Sequence, residues 1–252
     1  MTDWKNVPIL MYHAVEEATY PRPYKHTYVT KVEFEWQMRS LKKRGYNPIS
    51  FETLLAAQAG TAVLPPKPLI LTFDDGYDDL YRNAFPVLTE MGFPYTVFLV
   101  SGLIGKENEW VVPEGMTTFP LLDWNRIKEM RATGLASFQP HTETHPRLGD
   151  LPLAEAHRQM LISRDVLQQE LGEAMDVFCY PYGSLSDGVV DSAREIGYKC
   201  AVTTQFGRVR ESDDPFRLPR VSIYHIPPFS FDYGPAGLNY WWRIETRKDT
   251  RL

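Results

Sequence analysis

The sequence predicts an α/β fold, a barrel of about seven mainly parallel strands with helices outside it. Three observations carry this. Seven short apolar runs recur along the 252 residues. Helical spacings, most of them ending at a glycine, separate the runs. Strands alternating with helices make a parallel sheet, and seven strands over this length suit a closed or nearly closed barrel better than an open sheet.

The elements follow in order. VPILMY at 7–12 is the first strand, and Phe34, Met38 and Leu41 then mark one face of a helix ending at Gly45. LILTF at 69–73 is followed by Leu80, Ala84, Val87, Leu88 and Met91, a helix that Pro86 must kink or split before Gly92. YTVFLV at 95–100 precedes a helix through Ile127 and Met130 that stops at Gly134. LASF at 135–138 leads to the longest helix, 153–171, with Gly172 as its stop. VFCY at 177–180, a helix through Val189, Val190, Ala193 and Ile196 to Gly197, CAVT at 200–203 and VSIY at 221–224 complete the pattern. The proline-rich patches at 65–68 and 226–228 read as loops. Residues 1–225 are therefore expected to form one barrel domain, and 226–252 an aromatic-rich tail packing on the barrel or on a partner.

Composition excludes some functions. A net charge of -5 offers no basic face for nucleic acid. No apolar run approaches the ~18 residues of a membrane span. The start, MTDWKNVPILMYHAV, has one lysine and too short an apolar run for a signal peptide. The two cysteines, Cys179 and Cys200, lie in apolar stretches and are expected as buried thiols rather than a disulfide or zinc site. The expected compartment is the cytoplasm.

Two stretches carry chemistry. In LTFDDGYDD, at 71–79, adjacent acids stand where an apolar strand leaves the sheet. Such neighbours repel and raise a pKa unless something neutralises them. A plainer reading makes the stretch a turn, with Asp78 or Asp79 opening the next helix. In PHTETHP, at 140–146, two histidines four apart fall on one side of a helical turn, close enough to share a metal. The flanking prolines favour a rigid loop containing that single turn. One aspartate and two histidines make three ligands, which leaves positions open for water and substrate, while the second aspartate is free to act as a base. In barrels, functional groups gather at the C-terminal strand ends. His13 and Tyr182 follow their strand runs in the same way.

TFDDG, HTETH and the Tyr-Pro-Tyr-Gly turn at 180–183 resemble the successive motifs of the polysaccharide deacetylases, the NodB-homology domains of carbohydrate esterase family four. The resemblance runs from about residue 7 to 224. It implies a distorted barrel that removes acetyl groups from N-acetylated sugars with a divalent metal ion, zinc first, with cobalt, manganese, nickel or iron as alternatives. Carried over, Asp74 is the general base, and Asp75, His141 and His145 hold the cation. The oxyanion donor is a backbone N–H that maps to Tyr182, since Pro181 has none. The expected partner is a glycan or sugar-derived substrate, with a homo-oligomer through the tail left open.

This sequence departs from the family twice. Cys179 stands where an arginine usually orients the base, and Arg220, just before the last strand run, is the expected replacement, with Arg217 as the other candidate. The family's closing Leu-x-His appears at the start instead, in Ile9-Leu10-Met11-Tyr12-His13. That resembles the circularly permuted branch acting on poly-N-acetylglucosamine and related exopolysaccharides. It makes His13 the acid that protonates the leaving amine, with His225 as rival. His26 and His157 read as structural or exposed. Trp110, Trp124, Tyr240, Trp241 and Trp242 are candidate sugar platforms, none of them assigned to the site.

Three other readings compete. One is a hydrolase of a small amide or ureide on the same barrel. Another is a non-haem iron enzyme with a facial triad, which leaves Asp74 without a role. The third is an inactive glycan-binding domain, which the presence of both aspartates and both histidines opposes.

Overall fold

The computed structural model describes residues 6–17, 27–225, 241, 244 and 245. Each of the seven apolar runs contributes a strand. β1 (Ile9–Tyr12) is followed by the short strands β2 (Ala14–Glu16), β3 (Tyr28–Thr30) and β4 (Asn47–Pro48). Then come β5 (Pro68–Phe73), β6 (Tyr95–Leu99), β7 (Ala136–Pro140), β8 (Val177–Cys179), β9 (Cys200–Phe206) and β10 (Leu218–Ser222). The seven main strands are all parallel, in the order β7-β6-β5-β1-β10-β9-β8, and form a nearly closed barrel.

The first strand lies in the middle of that order. Leu10 pairs with Leu71 of β5 on one side and Val221 of β10 on the other. Tyr12 pairs with Phe73, so His13 and Asp74 emerge one residue beyond a matched pair. β7 and β8 stand at the two ends of the order, and side chains bridge them. The Val177 N–H donates to Gln139 Oε1 at 2.9 Å, and His141 Nδ1–H donates to the Cys179 carbonyl at 2.8 Å.

Alternation along the strands separates two apolar layers. Leu10, Tyr12, Leu71, Phe73 and Phe138 pack with helix residues such as Phe34, Met38 and Met160. Ile9, Ile70, Phe98, Cys179 and Val202 pack with Phe51 and Leu54 in a second cluster. The helices are α1 (Lys31–Lys43), α2 (Phe51–Gln58), α3 (Phe85–Met91), α4 (Trp124–Ala132), α5 (Leu153–Leu171) and α6 (Asp187–Ile196). As expected, the helix around Pro86 is divided: a wide π-type turn, Leu80–Ala84, precedes α3, and Pro86 falls in the first turn of α3.

Besides the short strands β2, β3 and β4, which no apolar run marks, two elements differ from the sequence reading. α2 was not anticipated, although Ser50 caps it by accepting from the Thr53 N–H. β10 begins three residues before the 221–224 run, so Arg220 lies inside the strand rather than ahead of it. The pairing with β9 shifts register between Leu218 and Arg220, and this irregularity accommodates Pro219, which has no N–H for a ladder.

Of the tail at 226–252, three residues are described. Trp241 is buried and stacks on Tyr46 beneath Arg44, Ile244 is buried, and Glu245 pairs with Arg44 at 3.0 Å. Tyr240 and Trp242, like His26, lie outside the described residues. Among those described, no helix is long and apolar enough to cross a membrane.

Candidate active site

Strand register delivers the first group of site residues. The Asp74 N–H donates to the Tyr12 carbonyl at 2.9 Å, which fixes the carboxylate at the mouth of β5. From β10, the fully buried Arg220 grips it with two bonds, Nη1 to Oδ1 at 2.7 Å and Nη2 to Oδ2 at 2.6 Å. The guanidinium is itself fixed by the Thr203 carbonyl at 2.8 Å and Thr72 Oγ1 at 3.1 Å. Cys179 lies alongside, its Sγ 3.2 Å from Arg220 Nη2. A thiol at position 179 leaves room for an arginine that arrives from another strand. Burial pushes the Asp74 carboxyl up, and Arg220 outweighs it, so the group sits below the usual carboxylate range. Arg217 lies elsewhere, in a surface pair with Asp187 and Asp214.

Asp75 meets different neighbours. Its Oδ1 is 3.4 Å from His141 Nε2 and 3.2 Å from His145 Nε2, and all three residues are buried. Burial raises this carboxyl too, but His145 and His141 hold it well below the ordinary range. The HTETH segment forms no helical turn, contrary to the spacing argument. Thr142 and His145 both adopt left-handed backbone, at φ 69° and 63°, and this brings the two imidazoles together instead. Asp75 (φ 72°) and Tyr182 (φ 58°) do the same. Such residues each cost about 1–3 kcal/mol and persist where the surroundings enforce them, commonly at functional sites.

The donor set suits a divalent cation. One atom each from Asp75, His141 and His145 lies within 4.8 Å of the others. His141 spends its Nδ1–H on the Cys179 carbonyl, so its Nε2 lone pair faces Asp75 and His145. Two imidazole nitrogens and a carboxylate make three protein ligands.

A cavity of about 370 Å³ opens over these groups, lined among others by His13, Asp74, Asp75, Trp110, His145 and Tyr182. His13 Nε2 is 3.9 Å from Asp74 Oδ2. His225 is turned away, its Nδ1 2.8 Å from Glu33 Oε2 and its ring stacked on Tyr28. Tyr182 presents its ring edge to His145 beneath Arg147, and burial followed by the nearby Asp75 pushes its hydroxyl up to about 12. The second pair of acids is structural: Asp78 pairs with Arg82 and Arg126, and Asp79 accepts from the Val15 N–H. Neither caps the next helix by a side-chain bond.

Sequence reasoning left three residues of the site unassigned. Trp110 stacks on His145 with ring centroids 4.3 Å apart, and Tyr77 lines the cavity with Asn108 bonded to its hydroxyl. Tyr77 stands inside the very stretch that marked the acids. Trp124, by contrast, opens α4 and packs against the core.

Comparisons with known proteins bear on this geometry. The family model described as polysaccharide deacetylase matches residues 62–201. Among curated proteins, YxkH of Bacillus subtilis is 28% identical over 222 residues, covering 86% of this chain and 71% of its own length. A poly-beta-1,6-N-acetyl-D-glucosamine N-deacetylase of Staphylococcus aureus is 24% identical over 232 residues, 85% of this chain and 77% of the relative. Among solved structures, the Streptococcus pyogenes deacetylase PplD in complex with acetate superposes with a TM-score of 0.75 at 28% identity, covering 87% of this chain and 92% of that one.

Proposed function

The chain belongs to the polysaccharide deacetylase family, and from that premise we propose that it is a metal-dependent hydrolase removing the acetyl group from an N-acetylated sugar. One observation carries the reading: the Arg220-gripped Asp74 opens onto the same cavity as the group of Asp75, His141 and His145. The name of the staphylococcal relative makes β-1,6-linked poly-N-acetylglucosamine the first substrate to try.

Asp75, His141 and His145 would hold the cation, zinc being the ion best suited to two imidazoles and a carboxylate. When bound, such an ion lowers the pKa of water toward about 7 and polarises a carbonyl oxygen. Asp74, kept ionised and oriented by Arg220, takes the proton of the attacking water. The Tyr182 backbone N–H, at the turn after β8, stabilises the oxyanion that forms on the acetyl group. His13, at the same rim on the neighbouring strand β1, then delivers a proton to the departing amine.

The test is acetate release by the zinc-loaded protein from poly-N-acetylglucosamine fragments, with chitooligosaccharides in parallel. Release that stops on chelation and returns with zinc is expected. Asp74→Asn should keep the metal and lose at least ~10²-fold in rate, the usual contribution of a general base. Asp75→Asn should lose metal affinity first. No release from any N-acetylated glycan, by protein shown to carry zinc, would sink the reading.

A further inference from the structure

The excursion at 101–122, between β6 and α4, touches the candidate metal ligands at two points. It is bound to the DDGY turn by backbone bonds: the Leu122 N–H donates to the Gly76 carbonyl at 2.8 Å, and the Asp78 N–H to the Pro120 carbonyl at 3.0 Å. At the first point, the buried Asn108 accepts from the Phe119 N–H through Oδ1, which fixes which end of its amide is the donor. Its Nδ2 therefore donates to the Tyr77 hydroxyl, at 3.1 Å. With the hydroxyl oxygen accepting, its proton remains to be placed, and Tyr77 lines the same cavity as the Asp75 carboxylate two residues before it, the acceptor we assign to that proton.

At the second point Trp110 stacks on His145, 4.3 Å between centroids at 29°. A metal-ligating histidine normally fixes its ring by donating the other N–H. No protein group among the described residues reaches the buried His145 Nδ1. Ring contacts hold the imidazole instead, Trp110 on its face and Tyr182 at 4.7 Å on its flank.

We propose that this excursion is a brace for the metal site, with Tyr77, oriented by Asn108, positioning Asp75 and Trp110 positioning His145. The inference rests on the metal-site reading above. It assigns positioning rather than catalytic roles, so the effect falls on affinity for the cation.

The experiment is zinc titration of chelator-stripped full chain against a competing indicator, repeated with Co²⁺ to record its visible absorption. Wild-type protein should bind one zinc. Tyr77→Phe and Trp110→Ala should each bind about 10-fold more weakly, as losses around a ligand shell do, with shifted cobalt bands. Trp110→Phe, which keeps an aromatic face, should recover most of the affinity. Val112→Ala, at a side chain 57% exposed on the same excursion, should match wild type. Wild-type affinity and spectrum in Tyr77→Phe or in Trp110→Ala would overturn that half of the brace. Failure of the wild-type chain itself to bind zinc would instead overturn the metal site, and the brace with it.

Discussion

The carboxylates of Asp74 and Asp75 leave one strand end and meet different partners, a guanidinium for the first and two imidazoles for the second. The difference is one of sign management. Burial alone would raise the Asp74 pKa, and Arg220 reverses it. As the proposed general base, Asp74 would work only when deprotonated, so activity should be lost as pH falls through its folded-state pKa. Arg220→Met removes the main group that opposes burial, so the acidic limb of the kcat/KM profile should move to higher pH. The same substitution should cost about 3–5 kcal/mol of stability, the usual effect of stranding a buried charge. A pH profile with an unmoved acidic limb would remove Arg220 from control of the base. His13 makes a second residue-scale claim. An amine leaves only with a proton, whereas an activated aryl oxide leaves without one. His13→Ala should therefore cost far more on an acetamide than on an aryl acetate, and His225→Ala, at a residue engaged with Glu33, should cost little on either. Equal losses on both substrates for His13→Ala would refute the acid role.

At the scale of elements, what could be read in advance depended on periodicity. The strand before Asp74 and the helix from Leu153 to Gly172 were legible because apolar spacing and a terminating glycine mark them. Arg220 was legible as the residue but not as part of a strand, because the apolar run starts only at Val221 while β10 begins at Leu218. The excursion at 101–122 was illegible for a related reason. Its turns, such as Glu109–Glu114, have no repeat, so Trp110 could be named as an aromatic but not set against His145. The HTETH loop was misread in form, since an i, i+4 pair suggests a helical turn that two left-handed residues replace. What stabilises that loop is specific. Thr142 Oγ1 accepts from the His145 N–H at 2.9 Å, the Ser101 N–H donates to the Thr142 carbonyl at 3.1 Å, and Gln159 accepts from the Thr144 N–H at 3.0 Å. Thr142→Val preserves shape and deletes one acceptor, leaving a buried N–H unpaired at a cost of about 1–3 kcal/mol. Zinc affinity should fall with it. Denaturant unfolding together with zinc titration checks both, and unchanged values would show that the loop holds His145 without this bond.

Across the whole molecule, the candidate metal group connects strands that the sheet leaves apart. Asp75 follows β5 and both histidines follow β7, while His141 reaches over the seam to the Cys179 carbonyl at the end of β8. Gln139 closes the same seam one step lower by accepting from the Val177 N–H. Barrel closure and ligand orientation thus share a boundary. A cation that binds only the folded chain stabilises it by mass action, about 2.7 kcal/mol at a hundredfold excess over Kd. Zinc should accordingly raise the unfolding midpoint of the wild-type chain, and His141→Ala should abolish most of that rise. Gln139→Leu touches no proposed ligand, but it leaves the Val177 N–H buried and unpaired, which costs about 1–3 kcal/mol. It also loosens the seam that His141 spans, so the zinc-dependent increment should shrink and the Val177 amide should exchange faster with solvent. Unfolding of both chains with and without zinc, with hydrogen exchange at Val177, separates the two effects. A Gln139→Leu protein with the full wild-type zinc increment would mean that closure of the barrel and orientation of His141 are independent.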